Sequence, residues 1–299
     1  MSEEVEIFEV GPRDGLQNEP NPIPTADKIA LVDLLSTVGF RRIEVASFVS
    51  PRWVPQMADS AEVMAGIRRA PGVRYVALTP NLRGYERARA AKADEVAVFG
   101  AASESFSKAN INCTIDESLE RFRPVVAAAR ADGIPVRGYV SCVTDCPYEG
   151  AVAPAAVARV AAALVAMGCH EISLGETLGK GRPEAVDAML RAVTAVVPAD
   201  RLAGHFHDTA GRALENVEVA LGHGLRVFDG AVGGLGGCPY APGAAGNVAT
   251  EALAARLGAL GYGTGLDTDR LAEAARMAAR LRERARHHEA DAAENGKEA

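Results

Sequence analysis

Aromatic residues make up only 5% of this 299-residue chain and tryptophan occurs once. That scarcity argues against a sandwich of aromatic strands and for helices packed closely on a sheet. Basic residues are outnumbered, 32 Lys and Arg against 39 Asp and Glu, for a formal net charge of -7. A general grip on nucleic acid needs a basic face that displaces counterions, so that class is excluded, while a local basic cluster for a small anion is not. The five cysteines, Cys113, Cys142, Cys146, Cys169 and Cys238, are an odd number in a long chain. The acidic start Met1-Ser2-Glu3-Glu4 carries no apolar secretion segment, so reduced thiols are expected in place of a disulfide framework. Cys142 and Cys146 have no second pair at zinc-finger spacing, which favours a structural reading. No apolar run is long enough to span a bilayer. These absences together predict a cytoplasmic protein without membrane or nucleic-acid partners.

What the chain does have is a hydrophobic content of 48% and a rhythm. Strand-like runs recur at Val5 to Val10, Arg42 to Ser47, Tyr75 to Thr79, Glu95 to Ala101, Pro135 to Ser141, Glu171 to Gly175, Leu202 to His207 and Val227 to Val232. Between them lie Ala/Leu/Val-rich stretches with charges at helical spacing, several closed by a glycine (Gly39, Gly133, Gly168). Eight such units predict an α/β fold of the (β/α)8 TIM-barrel class. A doubly wound sheet would show fewer strands and a Gly-rich turn after the first, where this chain has Gly11-Pro12-Arg13-Asp14-Gly15. The run Gly233 to Pro239 is not a nucleotide fingerprint, because Pro239 takes the third glycine's slot and no Walker lysine follows. Asp267 to Arg286 reads as one further helix, so residues 1–286 form a single predicted barrel domain. Residues 287–299, poor in bulky apolar side chains, are expected to be a disordered polar tail.

The most informative segment is His205-Phe206-His207-Asp208, at the end of an apolar run. A strand sends alternate side chains to one face, so both imidazoles would point the same way and form half of a metal site. The bland alternative puts one histidine in the core and the other in a loop. In a barrel of this class, reactive groups gather at the carboxyl ends of the strands. Arg13 and Asp14 fall there, as do Glu44, Ser47, Tyr139, Ser141, Ser173, Glu176, Cys238 and Asn247. Asp14, His205, His207 and the amide oxygen of Asn247 offer two nitrogens and two oxygens to a divalent ion; Mg2+ or Mn2+ suits an oxygen-rich substrate, and Zn2+ or Co2+ would also accept this donor set. Glu44 alternates with Ile43 and Val45 and would face the interior with Arg13 as partner, as either an active-site pair or a buried ion pair that fixes the barrel top. Cys238 sits on a glycine-rich segment able to close over a ligand, where a thiol could move a proton.

Several long motifs in one order resemble the 3-hydroxy-3-methylglutaryl-CoA lyase family, metal-dependent TIM barrels that act beside a thioester. They are GPRDGLQNE (Gly11 to Glu19), IEVASFVSPRWVPQM (Ile43 to Met57), LTPNLRG (Leu78 to Gly84), FGAASESFSKANIN (Phe99 to Asn112), RGYVSC (Arg137 to Cys142), CPYEG (Cys146 to Gly150), EISLGET (Glu171 to Thr177), HFHDT and GLGGCPYAPGAAGN (Gly234 to Asn247).

The resemblance implies cleavage of (S)-3-hydroxy-3-methylglutaryl-CoA to acetyl-CoA and acetoacetate, the last step of leucine breakdown and a source of ketone bodies. It implies an acyl-CoA substrate, a divalent cation (Mg2+ or Mn2+) on Asp14, His205, His207 and Asn247, and a homodimer. Arg13 would stabilise the enolate, Glu44 would support it, and Cys238 would protonate the product. Gln17, Ser47, Lys108, Asn110, Tyr139, Ser173 and Thr177 would contact substrate or the CoA chain. Two departures stand out: Glu176 replaces the family's aspartate in Ser-Leu-Gly-Asp-Thr, and Ala109 is less basic than the family leads one to expect. A Claisen-type synthase of the same superfamily shares the Arg-Asp and His-x-His elements, but RDGLQ in place of RDGEQ, the GLGGCPY loop and the missing regulatory domain oppose it. A binding barrel without turnover is the remaining alternative.

Overall fold

The apolar runs become eight parallel strands: β1 (Glu6–Glu9), β2 (Arg42–Ser47), β3 (Arg74–Leu78), β4 (Glu95–Ala101), β5 (Val136–Ser141), β6 (Glu171–Glu176), β7 (Leu202–Phe206) and β8 (Val227–Gly230). In this computed structural model, which describes residues 3–19, 21–238 and 241–295 (side chains excepting 237–245 and 284–295), they close into a barrel, each strand beside its neighbours in sequence and β8 beside β1. The predicted TIM barrel is therefore the fold. Among the described residues, no helix is long and apolar enough to cross a membrane.

Helices cover the outside. α1 (Thr25–Leu35), α2 (Ser60–Gly66), α3 (Leu82–Ala90), α4 (Glu104–Ile111), α5 (Ile115–Ala131), α6 (Pro154–Met167), α7 (Pro183–Thr194), α8 (Ala213–Gly222), α9 (Thr250–Ala259) and α10 (Thr268–Asn295) follow in chain order. In α7 the buried Val186, Met189, Leu190 and Val193 repeat at the spacing that lines one helical face, which is why this segment folds as a helix lying on the sheet. α5 begins at a capping box, the Thr114 hydroxyl accepting from Glu117 N–H while the Glu117 carboxylate accepts from Thr114 N–H.

The helix expected to stop at Arg286 instead continues to Asn295, through most of the segment predicted to be a disordered tail. A run rich in Ala and Glu, without Pro and with no Gly before Gly296, keeps helical propensity even where it has little apolar surface to bury. α10 also packs on the loop after β8: Arg282 donates to the carbonyls of Gly233 and Gly234 at 3.0 and 2.7 Å.

The inside of the barrel is charged. Arg42 on β2 pairs both carboxylate oxygens of Glu171 at 2.9 and 3.0 Å. Arg137 on β5 reaches the same Glu171 at 2.6 Å and takes Asp229 of β8 in a two-point grip at 3.0 and 2.7 Å. Both guanidinium groups lie over the Phe8 ring. Burying such charges is tolerable only because each has its partner within hydrogen-bond distance. This file of ion pairs leads from the amino-terminal end of the barrel toward its mouth.

Candidate active site

The turn after β1 is a five-residue π-turn, Gly11–Gly15, in which the Val10 carbonyl accepts from the N–H groups of Arg13, Asp14 and Gly15. Glu9 pins it. One carboxylate oxygen accepts from Gly11 N–H at 2.8 Å and from Val232 N–H at 2.9 Å, and the other accepts from Thr250 Oγ1 at 2.7 Å. The loops after β1 and β8 are thus tied to one buried carboxyl, and burial pushes its pKa up to about 7 against those three hydrogen bonds.

Arg13, 5% exposed, donates from Nε to Glu44 Oε2 at 2.7 Å and from Nη1 to Asp14 Oδ1 at 2.7 Å. Tyr139 donates its hydroxyl to the same Glu44 oxygen at 3.2 Å, which confirms the inward direction of Glu44. Burial works against the charge on Arg13, but Glu44 and Asp14 outweigh it and hold the guanidinium protonated. Burial would raise Asp14, yet Arg13, His205 and His207 bring its pKa down to about 2. Gln17 sits next to the pair, 3.4 Å from both Arg13 Nη1 and Asp14 Oδ1.

Asp14, His205 and His207 each present a ligand atom within 4.8 Å of the others. The two rings lie 5.2 Å apart, His205 Nε2 is 4.0 Å from Asp14 Oδ2, and His207 bridges in strand fashion to Asn247. His207 is neutral over most of the pH range because burial, then the neighbouring His205, lowers its pKa to about 4. Its Nδ1 is buried and has no hydrogen-bond partner among the described residues. A neutral imidazole with an unused nitrogen beside an ionised carboxylate is a donor set that fits a divalent cation. Asn247 donates Nδ2 to Asp14 Oδ2 at 2.8 Å; to serve as a ligand it would turn its amide so that the oxygen faces the ion.

Of the other predicted residues, two adjoin this cluster and the rest stand apart from it. Tyr139 and Ser173 line the same interior, Ser173 donating to Asp229 at 2.8 Å. Ser47 is tied through its backbone to the Ser60 hydroxyl at the start of α2. Lys108 and Asn110 are exposed on α4, with no hydrogen bond or ion pair to the Asp14 cluster among the described residues. Glu176 faces the loop after β5, accepting from Thr144 Oγ1 at 3.3 Å and lying against Gly181; burial raises its pKa, opposed by the N–H groups of Gly181 and Lys180. Thr177 approaches Cys142 Sγ at 3.6 Å. The Cys238 side chain lies outside the described residues, its backbone pairing in a short hairpin with Ala241–Ala245.

Sequence reasoning missed Asp229, Arg137 and Glu9 as parts of this site. An acid in the middle of the apolar run Val227 to Val232 was a signal for Asp229, because a lone carboxylate on a buried strand needs partners.

A family model described as HMGL-like matches residues 4–278. The mitochondrial hydroxymethylglutaryl-CoA lyase of Bos taurus is 59% identical over 271 residues, spanning 91% of this chain and 83% of the relative. The crystal structure of the HMG-CoA lyase from Brucella melitensis matches with a TM-score of 0.94 at 62% identity, over 94% of this chain and 100% of that one. An HMG-CoA lyase from Acinetobacter baumannii, in complex with coenzyme A and 3-methylmalate, matches with a TM-score of 0.89 at 39% identity, over 94% of this chain and 92% of that one. With its barrel, its ordered motifs and a match along nearly its whole length, the chain belongs to the HMGL-like family.

Proposed function

We propose that this protein cleaves (S)-3-hydroxy-3-methylglutaryl-CoA to acetyl-CoA and acetoacetate, in leucine breakdown and ketone-body formation. The observation that carries the reading is the joining of Arg13 to Asp14 at 2.7 Å, which sets a fixed positive charge against the three-residue cluster Asp14, His205 and His207. When bound, a divalent cation, Mg2+ or Mn2+, supplies Lewis acidity to the hydroxyl and carboxylate oxygens of the substrate. Asp14, His205 and His207 would hold it, with Asn247 as a fourth ligand.

In this reaction the C3 hydroxyl loses its proton, the C2–C3 bond breaks, C3 becomes the ketone of acetoacetate and the electron pair moves onto the thioester as an enolate. Arg13 meets that oxyanion. Its guanidinium keeps its charge and is aimed in advance by Glu44, which itself is braced by Tyr139, so little reorganisation is needed as charge develops. Cys238, on the glycine-rich hairpin, is assigned the return of a proton to C2, and Glu176 the neighbourhood of the C3 hydroxyl. Gln17, Tyr139 and Ser173 are read as substrate contacts at the mouth, and Ser47, Thr177, Lys108 and Asn110 as contacts farther along the acyl-CoA. We assign the protein to the cytoplasm, in line with four free thiols among the described cysteines, and to a homodimer, which light scattering would test.

The deciding measurement is acetoacetate release from 3-hydroxy-3-methylglutaryl-CoA, repeated after EDTA and after metal add-back. Release that disappears and returns with the metal supports the reading. No release, together with free thiol formed from acetyl-CoA and a 2-oxo acid, would replace it with a Claisen-type synthase.

A further inference from the structure

We infer that Asp229 is the positioning residue of this metal centre, acting through His205. The inference rests on the metal-centre reading of the cluster and assigns work to a residue outside it. Strands β7 and β8 are neighbours, and their register sets Asp229 opposite His205. Asp229 Oδ2 lies 3.0 Å from His205 Nδ1, and Asp229 is only 2% exposed.

Every other hydrogen bond to this carboxylate among the described residues comes from a donor. Ser173 Oγ gives its hydrogen to Oδ2 at 2.8 Å, while Arg137 Nη1 and Nη2 donate to Oδ2 and Oδ1 at 3.0 and 2.7 Å. A carboxylate held in a two-point guanidinium grip is ionised and can only accept. His205 must therefore carry a hydrogen on Nδ1, and in the neutral ring this leaves the lone pair on Nε2, the nitrogen facing Asp14 at 4.0 Å. The ring plane is fixed as well: Tyr139 packs edge-on against it, with centroids 6.2 Å apart at 82°. One imidazole is thus preset in tautomer and direction before any ion arrives. Its partner is not, since His207 Nδ1 has no hydrogen-bond partner among the described residues.

Partners of this kind typically change metal affinity by about 10- to 100-fold when removed. Two measurements test the assignment. In long-range 1H–15N spectra of the metal-free wild-type protein, recorded at a pH where the His205 ring has given up its second proton, His205 is expected as the Nδ1–H tautomer; an Nε2–H tautomer would overturn the inference whether or not any variant folds. In Asp229→Asn, the affinity for Mn2+ read by electron paramagnetic resonance is expected to fall by about 10- to 100-fold. Unchanged Mn2+ affinity in a folded variant would also overturn it. If the wild type itself takes up no Mn2+, the metal-centre reading fails first, and that result is distinct from a wild type that binds and a variant that binds equally well.

Discussion

Arg13 and Asp14 are consecutive residues whose side chains meet, Nη1 of one 2.7 Å from Oδ1 of the other. Consecutive side chains on a regular helix diverge. Here the π-turn brings them together, and Glu9 fixes that turn from below through Gly11. The charge that would stabilise the enolate and the carboxylate that would hold the ion are therefore placed by the same five residues.

Replacing Arg13 with Gln should separate the two roles. Gln keeps a donor but loses the charge, so kcat is expected to fall at least about 100-fold, with Mn2+ affinity within a few-fold of wild type. A kcat near the wild-type value would remove Arg13 from the chemistry.

Metal should stabilise as well as activate. A cation that binds the folded chain alone adds about 2.7 kcal/mol at a hundredfold excess over its Kd, so melting in EDTA and in Mn2+ should differ by several degrees. In Asp14→Asn that difference should shrink or vanish. A shift that persists undiminished would locate the stabilising ion elsewhere.

The Glu9 carboxyl has an ordinary pKa of 4.5 and is raised by burial to about 7 in the folded chain. Between those values the folded state binds more protons than the unfolded one, so this group's contribution is fully present below pH 4.5 and is lost as pH rises to about 7. Glu9→Gln cannot titrate there. Its stability relative to wild type should climb by up to about 3 kcal/mol across that window, measured by urea unfolding at several pH values; a flat difference would show that Glu9 does not change its protonation on folding.

At Gly11 a Cβ would lie 2.5 Å from Glu9 Oε1 and 3.2 Å from the Val232 nitrogen. Gly11→Ala should therefore cost about 1–3 kcal/mol of stability and lower Mn2+ affinity, because the displaced turn carries Asp14. Stability lost without any change in Mn2+ binding would mean that the turn moves independently of its carboxylate.

Much of this was legible in the chain itself. Periodicity and glycine punctuation located all eight barrel strands to within a residue or two, and alternation pointed Glu44 inward and put His205 and His207 on one face. Less legible was anything that depends on closure. The pairing of His205 with Asp229 requires β7 and β8 to lie in one particular register, and Glu9 acts on Val232 and Thr250, more than 220 residues away. Ser47 and Glu176 stand at strand ends as predicted, but local hydrogen bonds to Ser60 and Thr144 hold them, and strand position alone says nothing of such competitors.

Arg137 is gripped by Glu171 on one side and Asp229 on the other, with Phe8 and Tyr139 stacked against its head. A slip of β5 by a single residue would throw that guanidinium to the outer wall, leaving Glu171 with Arg42 alone and Asp229 without any guanidinium. Insertions and deletions are therefore expected in the connections between strands that carry no site residue, while the eight staves keep their lengths.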